Sequence, residues 1–157
     1  MIKRAIGICH YNRLDKLGEI VEAVKRTAPG GTKIVIADDG SDVSQDSYDS
    51  IAVSEIAKEY DVILVQGPNK GVAENKNRIL LACKDAHLIC IIEDDLKPIN
   101  RGWFEAYEGA AVLSGIHHLC RVQDKEVPEE VPAFSAYMAQ AELTPIYGTS
   151  PRGDLTF

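Results

Sequence analysis

Three consecutive carboxylates, Glu93, Asp94 and Asp95, follow directly on His87, Leu88, Ile89, Cys90, Ile91 and Ile92, a run in which five of six residues are apolar. Such a run reads as a buried strand of a parallel sheet. Acids at its end face a steep desolvation cost unless they meet water, hydrogen-bond donors or a cation. Open α/β sheets place their ligands at this carboxyl edge. Hard divalent cations prefer carboxylate oxygens, and magnesium or manganese takes one or two of them together with substrate phosphates. The junction therefore suggests a metal–diphosphate site. The plainer alternative is a strand end with a solvated acidic turn.

Three more polar loops follow strand-like runs. The first holds His10, Tyr11, Asn12 and Arg13, and the second Asp38, Asp39, Gly40, Ser41 and Asp42. The third holds Asn69, Lys70 and Gly71, leading into Asn75, Lys76, Asn77 and Arg78. Each also has a structural reading. Tyr11 and Asn12 can cap a helix, and Asp39-Gly40-Ser41 makes a good turn. Lys76 and Arg78 can lie on a solvated helix face, with Glu74 placed to pair with Arg78 at i, i+4. His117 and His118 fall in a strand-like run, where one points inward and the other outward.

The elements that must position these residues alternate along the chain. Residues 3–9, 33–37 and 62–65 read as strands, with the apolar run above as the fourth. Leu14, Leu17, Ile20, Val21 and Val24 recur at helical spacing, predicting a helix over 14–27 that Pro29, Gly30 and Gly31 stop. Further helices are expected at 51–60 and 72–84, and another around Trp103, Phe104, Tyr107, Ala111 and Leu113. This alternation implies an α/β fold: a mostly parallel sheet with helices on both faces. All four loops then share one edge. A strand at 116–122 and an acidic, proline-bearing loop at 124–132 come next. Residues 1–123 are expected to form the core, and 124–157 a loop-rich segment of the same domain.

With 157 residues, 45% hydrophobic and 26% charged, the chain fits one soluble domain. Its net charge of −7 argues against a general nucleic-acid binder. No run approaches the ~20 apolar residues of a membrane span. The first eight residues enter a strand pattern and do not read as a signal peptide. Cys9, Cys83, Cys90 and Cys120 are scattered without a C-x-x-C pair, as expected of free thiols in a reducing cytoplasm.

The joint order of these loops resembles the nucleotide-binding half of a GT-A fold glycosyltransferase, most similar to family 2. Tyr11-Asn12-Arg13, Asp38-Asp39-Gly40-Ser41, and Asn69, Gly71 and Asn77 match its T-Y-N-R-like, D-D-G-S and N-x-G-x-x-x-x-x-N segments. The acidic triplet matches its D-x-D-like motif. The resemblance covers residues 2–104, and the triplet with Leu96, Trp103 and Phe104 is also similar to the E-D-D motif of N-acetylglucosaminyltransferase I. It implies that Tyr11 and Asp39 contact the nucleobase and that Lys76 approaches the nucleotide or its phosphates. Glu93 and Asp94 would face the ribose or donor sugar, and Asp95 would ligate Mn2+ or Mg2+. His10 and Arg13 belong to the same nucleotide-binding set.

The implied reaction is transfer of a sugar from a UDP-sugar to an acceptor hydroxyl, with inversion. Three departures stand out. Cys9 and His10 replace the usual proline and threonine or serine. Glutamate opens the metal motif. The segment that supplies the general base in inverting members is short here, with Glu142 and Asp154 the nearest carboxylates. The chain therefore reads either as a compact enzyme or as the first part of a longer one, truncated at the C-terminus. A non-catalytic or fragmentary nucleotide-binding module is the alternative. A sugar nucleotidyltransferase fits less well, since its G-x-G-T-R-like loop is replaced by His10-Tyr11-Asn12-Arg13.

Overall fold

The computed structural model describes residues 2–41 and 49–114. The elements run β1 (Arg4–His10), α1 (Leu14–Thr27), β2 (Lys33–Asp38), α2 (Asp49–Glu59), β3 (Ile63–Gln66), α3 (Val72–Ala82), β4 (Leu88–Glu93) and α4 (Trp103–Ser114). Two compact units divide the chain, Met1–Phe104 and Glu105–Phe157. The sheet and every site residue below belong to the first. The described part of the second is the helical run from Glu105 to Ser114.

All pairings in the four-stranded sheet are parallel, in the order β3-β2-β1-β4. The chain leaves β1 toward β2 on one side and returns as β4 on the other, so the topological switch lies between β1 and β4. Crevices of this kind hold ligands in open α/β sheets. Register brings the strand ends level, pairing Cys9 with Glu93, His10 with Asp38 and Asp38 with Gln66.

Strand alternation divides the core between two faces. Ile6, Ile8, Ile36 and Ile92 pack with Leu17, Ile20, Val21 and Val24 of α1 and Val53 and Ala57 of α2. Each such side chain, fully buried, contributes about 1.5–3 kcal/mol. Trp103 and Phe104 close this layer, the indole Nε1 donating to Thr27 Oγ1 at 3.0 Å. On the other face Ala5, Cys9, Val35 and Ala37 meet Ile79 of α3 and Cys83 at its C-cap. Small residues let this helix sit close. A Cβ on Gly7 would lie 2.1 Å from Ile79 Cγ2, so only glycine fits there.

Two differences from the sequence reading bear on the site. Asp38, expected to open a loop, is the last residue of β2 and is buried. β1 likewise runs on to include His10. The expected strand at 116–122, the loop at 124–132, the boundary at 123 and residues Asp42, His117, His118, Cys120, Glu142 and Asp154 lie outside the described residues.

Candidate functional site at the carboxyl edge of the sheet

The acidic triplet meets the first loop at the β1–β4 switch. Asp94 is buried, 6% exposed, and its carboxylate is held from three directions. Oδ2 accepts from His10 Nδ1 at 3.0 Å and from the Tyr11 backbone N–H at 3.2 Å, while Oδ1 accepts from the Arg13 guanidinium at 3.2 Å. A carboxylate only accepts, so the His10 proton sits on Nδ1. Its Nε2 is buried and meets no partner among the described residues. Burial pushes the Asp94 carboxyl upward, but the His10 bond, the Tyr11 N–H and the Arg13 charge outweigh it, and the group lies below its ordinary value.

Asp95, one residue on, faces outward with its side chain 55% exposed. Arg13 reaches it too, its NH1 lying 3.3 Å from Oδ2. The charges of Asp94 and Asp95 hold the Arg13 guanidinium above its usual range. Tyr11 is itself 44% exposed.

The second loop is fastened to the first and third. Ser41 Oγ donates to Asp38 Oδ1 at 2.5 Å and accepts from the Asn12 backbone N–H at 3.0 Å. Asn12 adopts φ 51, a left-handed conformation that asparagine tolerates better than most residues. Asp38 Oδ2 accepts from Gln66 Nε2 at 3.2 Å. Gly40, at φ 70, brings the loop against the next one: a Cβ there would lie 2.6 Å from the Asn69 backbone nitrogen.

Asp39 is buried and turned toward the third loop. Its Oδ1 accepts from the Lys70 N–H at 3.0 Å and from Arg78 NH1 at 2.9 Å, and its Oδ2 from the Gly71 N–H at 2.8 Å. A carboxylate at the start of α3 also complements the positive end of the helix. Arg78 completes the clamp by donating to Pro68 O at 2.7 Å. It thus faces the second and third loops rather than bulk solvent.

Helix α3 carries two further site residues. Asn75 is buried and donates from Nδ2 to Ala37 O at 2.8 Å and His10 O at 3.5 Å, satisfying carbonyls where β1 and β2 end. Lys76 Nζ lies 3.0 Å from Glu93 Oε1, tying α3 to the acidic strand. Behind that pair the Cys9 thiol is pushed up to about 12, by burial first and then by the Glu93 charge.

The structure therefore gathers His10, Tyr11, Arg13, Asp39, Lys76, Glu93, Asp94 and Asp95 along one edge. They fall into three clusters: Asp94 and Asp95 with His10, Tyr11 and Arg13; Glu93 with Lys76; and Asp39 with Arg78. The fastening roles of Asn75, Ser41 and Arg78 are not apparent from local sequence. Their signal is long-range, since each partner set spans two or more loops. Among the described residues no group of three or more His, Cys, Asp or Glu could by itself hold a metal ion.

A parallel sheet with its polar loops gathered along its carboxyl edge is an α/β domain of GT-A type. Residues 5–106 match the family model described as glycosyl transferase family 2, and the chain belongs to that family. Its fold is similar to that of S. aureus TarS, at 17% identity and TM-score 0.54, covering 82% of this chain and 23% of that one. TarS 1–349 in complex with UDP matches at 19% identity and TM-score 0.53, over 82% of this chain and 38% of that one. Glucosyl-3-phosphoglycerate synthase from Mycobacterium tuberculosis, in complex with Mn2+, UDP and glucosyl-3-phosphoglycerate, matches at 14% identity and TM-score 0.53, over 73% and 42%. Likeness at these identities speaks to the fold alone. The chain spans less than half the length of each of these neighbours. No curated protein matches it.

Proposed function

We propose that this chain binds a nucleotide-diphosphate sugar, a UDP-sugar, at the carboxyl edge of its sheet. The sugar is transferred to an acceptor hydroxyl with inversion, in a divalent-metal-dependent reaction in the cytoplasm. The observation that carries this reading is the bracket around Asp94. His10, the Tyr11 N–H and Arg13 hold that carboxylate in place and leave the neighbouring Asp95 half-exposed at the switch point. Membership of family 2, and the UDP and Mn2+ bound by structural neighbours, support it.

In this reading the exposed Tyr11 ring and Asp39 bind the nucleobase. The Asp39 Oδ2, with one donor of its own, keeps acceptor capacity for a base N–H. Lys76 and Arg13 face the diphosphate, and Glu93 and Asp94 the ribose or donor sugar. The donor set suits Mn2+ or Mg2+: one hard, half-exposed oxygen ligand from Asp95, with phosphate oxygens and water completing the shell. Such a cation supplies Lewis-acid neutralisation of the departing nucleoside diphosphate. The protein's own contribution is to fix the donor so that the acceptor hydroxyl approaches the anomeric carbon in line. A carboxylate base removes its proton, with Glu142 and Asp154 the candidates from the segment beyond the described residues. Among the described residues no helix is long and apolar enough to cross a membrane.

Asp95→Ala tests the reading. Mn2+-dependent UDP binding, measured by calorimetry, is expected to weaken at least tenfold, since even residues behind a metal ligand cost about 10–100-fold. Unchanged binding sinks the proposal. Release of free sugar from UDP-sugars with Mn2+ separates a transferase from a module that binds without turnover.

A further inference from the structure

Arg13 is shared between two carboxylates of different standing. Asp94 keeps His10 and the Tyr11 N–H if Arg13 leaves, whereas the side-chain partner of Asp95 among the described residues is Arg13 alone. One guanidinium nitrogen serves both acids, at 3.2 and 3.3 Å, longer than the ~2.7–2.9 Å of a strong charge-assisted bond. Side-chain exposure is 52% for Arg13 and 55% for Asp95, so water competes for both partners. The backbone of Arg13 is anchored as the N-cap of α1, its carbonyl accepting from Lys16 N–H at 3.1 Å. Only the side chain is free to exchange.

We propose that Arg13 is the resident counter-cation of Asp95, released when a divalent cation and a nucleoside diphosphate enter together. This rests on Asp95 as the metal-binding carboxylate. A guanidinium and a dication sharing one carboxylate would repel even at the dielectric of water. Binding of the cation alone would therefore turn Arg13 away from Asp95 and leave it only Asp94, which it already contacts. A diphosphate changes that balance, because the planar guanidinium fork fits phosphate oxygens. The cation and the nucleotide then strengthen each other's binding, and the coupling is reciprocal. Arg13 is a positioning and gating side chain in this scheme, and the empty carboxylate is never left unpaired.

The test is titration of the full chain with Mn2+, followed by the electron paramagnetic resonance of free aquo-Mn2+, with and without UDP. Arg13→Gln is expected to bind Mn2+ alone about two- to fivefold more tightly, the scale of an exposed ion pair. The enhancement that UDP gives the unaltered chain should shrink in the same variant. A folded Arg13→Gln whose Mn2+ affinity is unchanged or weaker overturns the proposal. If that variant does not fold, the Arg13 Nε–H NMR signal of the unaltered chain decides: it should shift when Mg2+ and UDP are added together, and an unmoved signal overturns it. Asp95→Asn separates the two layers. Loss of Mn2+ binding there without a gain in Arg13→Gln removes only the counter-cation role, while undiminished binding in Asp95→Asn removes the metal reading and the Arg13 role with it.

Discussion

Replacing Asp39 by alanine takes the acceptor away from three donors at once, the Lys70 and Gly71 N–H groups and the Arg78 guanidinium. The side chains of Arg78 and Asp39 are only 14% and 6% exposed, so the charge left behind is poorly solvated. Removing one member of a buried pair costs about 3–5 kcal/mol. Water can reach the Lys70 and Gly71 N–H groups once the carboxylate is gone, which places the effect near the lower end, about 3 kcal/mol. At about 2–4 °C per kcal/mol for a chain of this size, Tm falls by about 6–12 °C. The pair itself is isolated by a double-mutant cycle of Asp39→Ala with Arg78→Met, followed by urea denaturation. The double variant should be less destabilised than the sum of the singles, by about 2 kcal/mol. A coupling below about 0.5 kcal/mol refutes the reasoning: Asp39 and Arg78 would then not join the second and third loops.

Acid should unfold the protein partly through Asp94, whose carboxyl lies below its ordinary value in the folded state. A lowered folded value means the stabilisation is complete above the unfolded value of about 3.9 and is lost as pH falls through the folded one. Asp94→Asn should therefore flatten the fall in Tm below about pH 4, and an acid limb identical to that of the unaltered chain counts against the bracket. Cys9, buried and with its thiol pushed up to about 12 mainly by burial, should resist iodoacetamide at neutral pH until denaturant is added. Rapid alkylation of Cys9 in the native chain, located by mass spectrometry, contradicts the core as described. Gly7→Ala should cost about 1–3 kcal/mol through its clash with Ile79, and Ile79→Ala in the same chain should relieve part of that strain. Strictly additive losses would show that the helix is not seated on Gly7.

Much of the scaffold is written locally. The apolar spacing of Leu17, Ile20, Val21 and Val24 marks α1, which runs over Leu14–Thr27 as its periodicity predicts. The same holds for the apolar run that becomes β4 and for the polar loops that gather at one edge. Strand order is different, because alternation along the chain does not say which strands are neighbours. Only the return of β4 beside β1 brings His10 against Asp94, a pairing 84 residues apart. Arg78 illustrates the same limit. Its local neighbour Glu74 suggests an i, i+4 pair, yet the loop carrying Asp39 offers a buried carboxylate and Pro68 a carbonyl. One signal is present and local: a glycine inside an apolar strand marks a close approach, and the Ile79 side chain of α3 fills the space over Gly7.

Helix α3 reaches across the whole edge with residues that are close neighbours in sequence. Asn75 meets the ends of β1 and β2, Lys76 the end of β4, and Arg78 the loops after β2 and β3. Each helical residue turns the next by about 100°. One residue inserted between Gly71 and Asn75 would swing all three side chains by that angle, while the apolar seat at Ile79 and Cys83 would be misphased with them. The same insertion after Cys83 would leave every one of these bonds intact. Tolerance to length change across this helix should thus be sharply lopsided, closed on its N-terminal side and open on its C-terminal side. A scan of single-residue insertions would trace this edge of the sheet through stability alone.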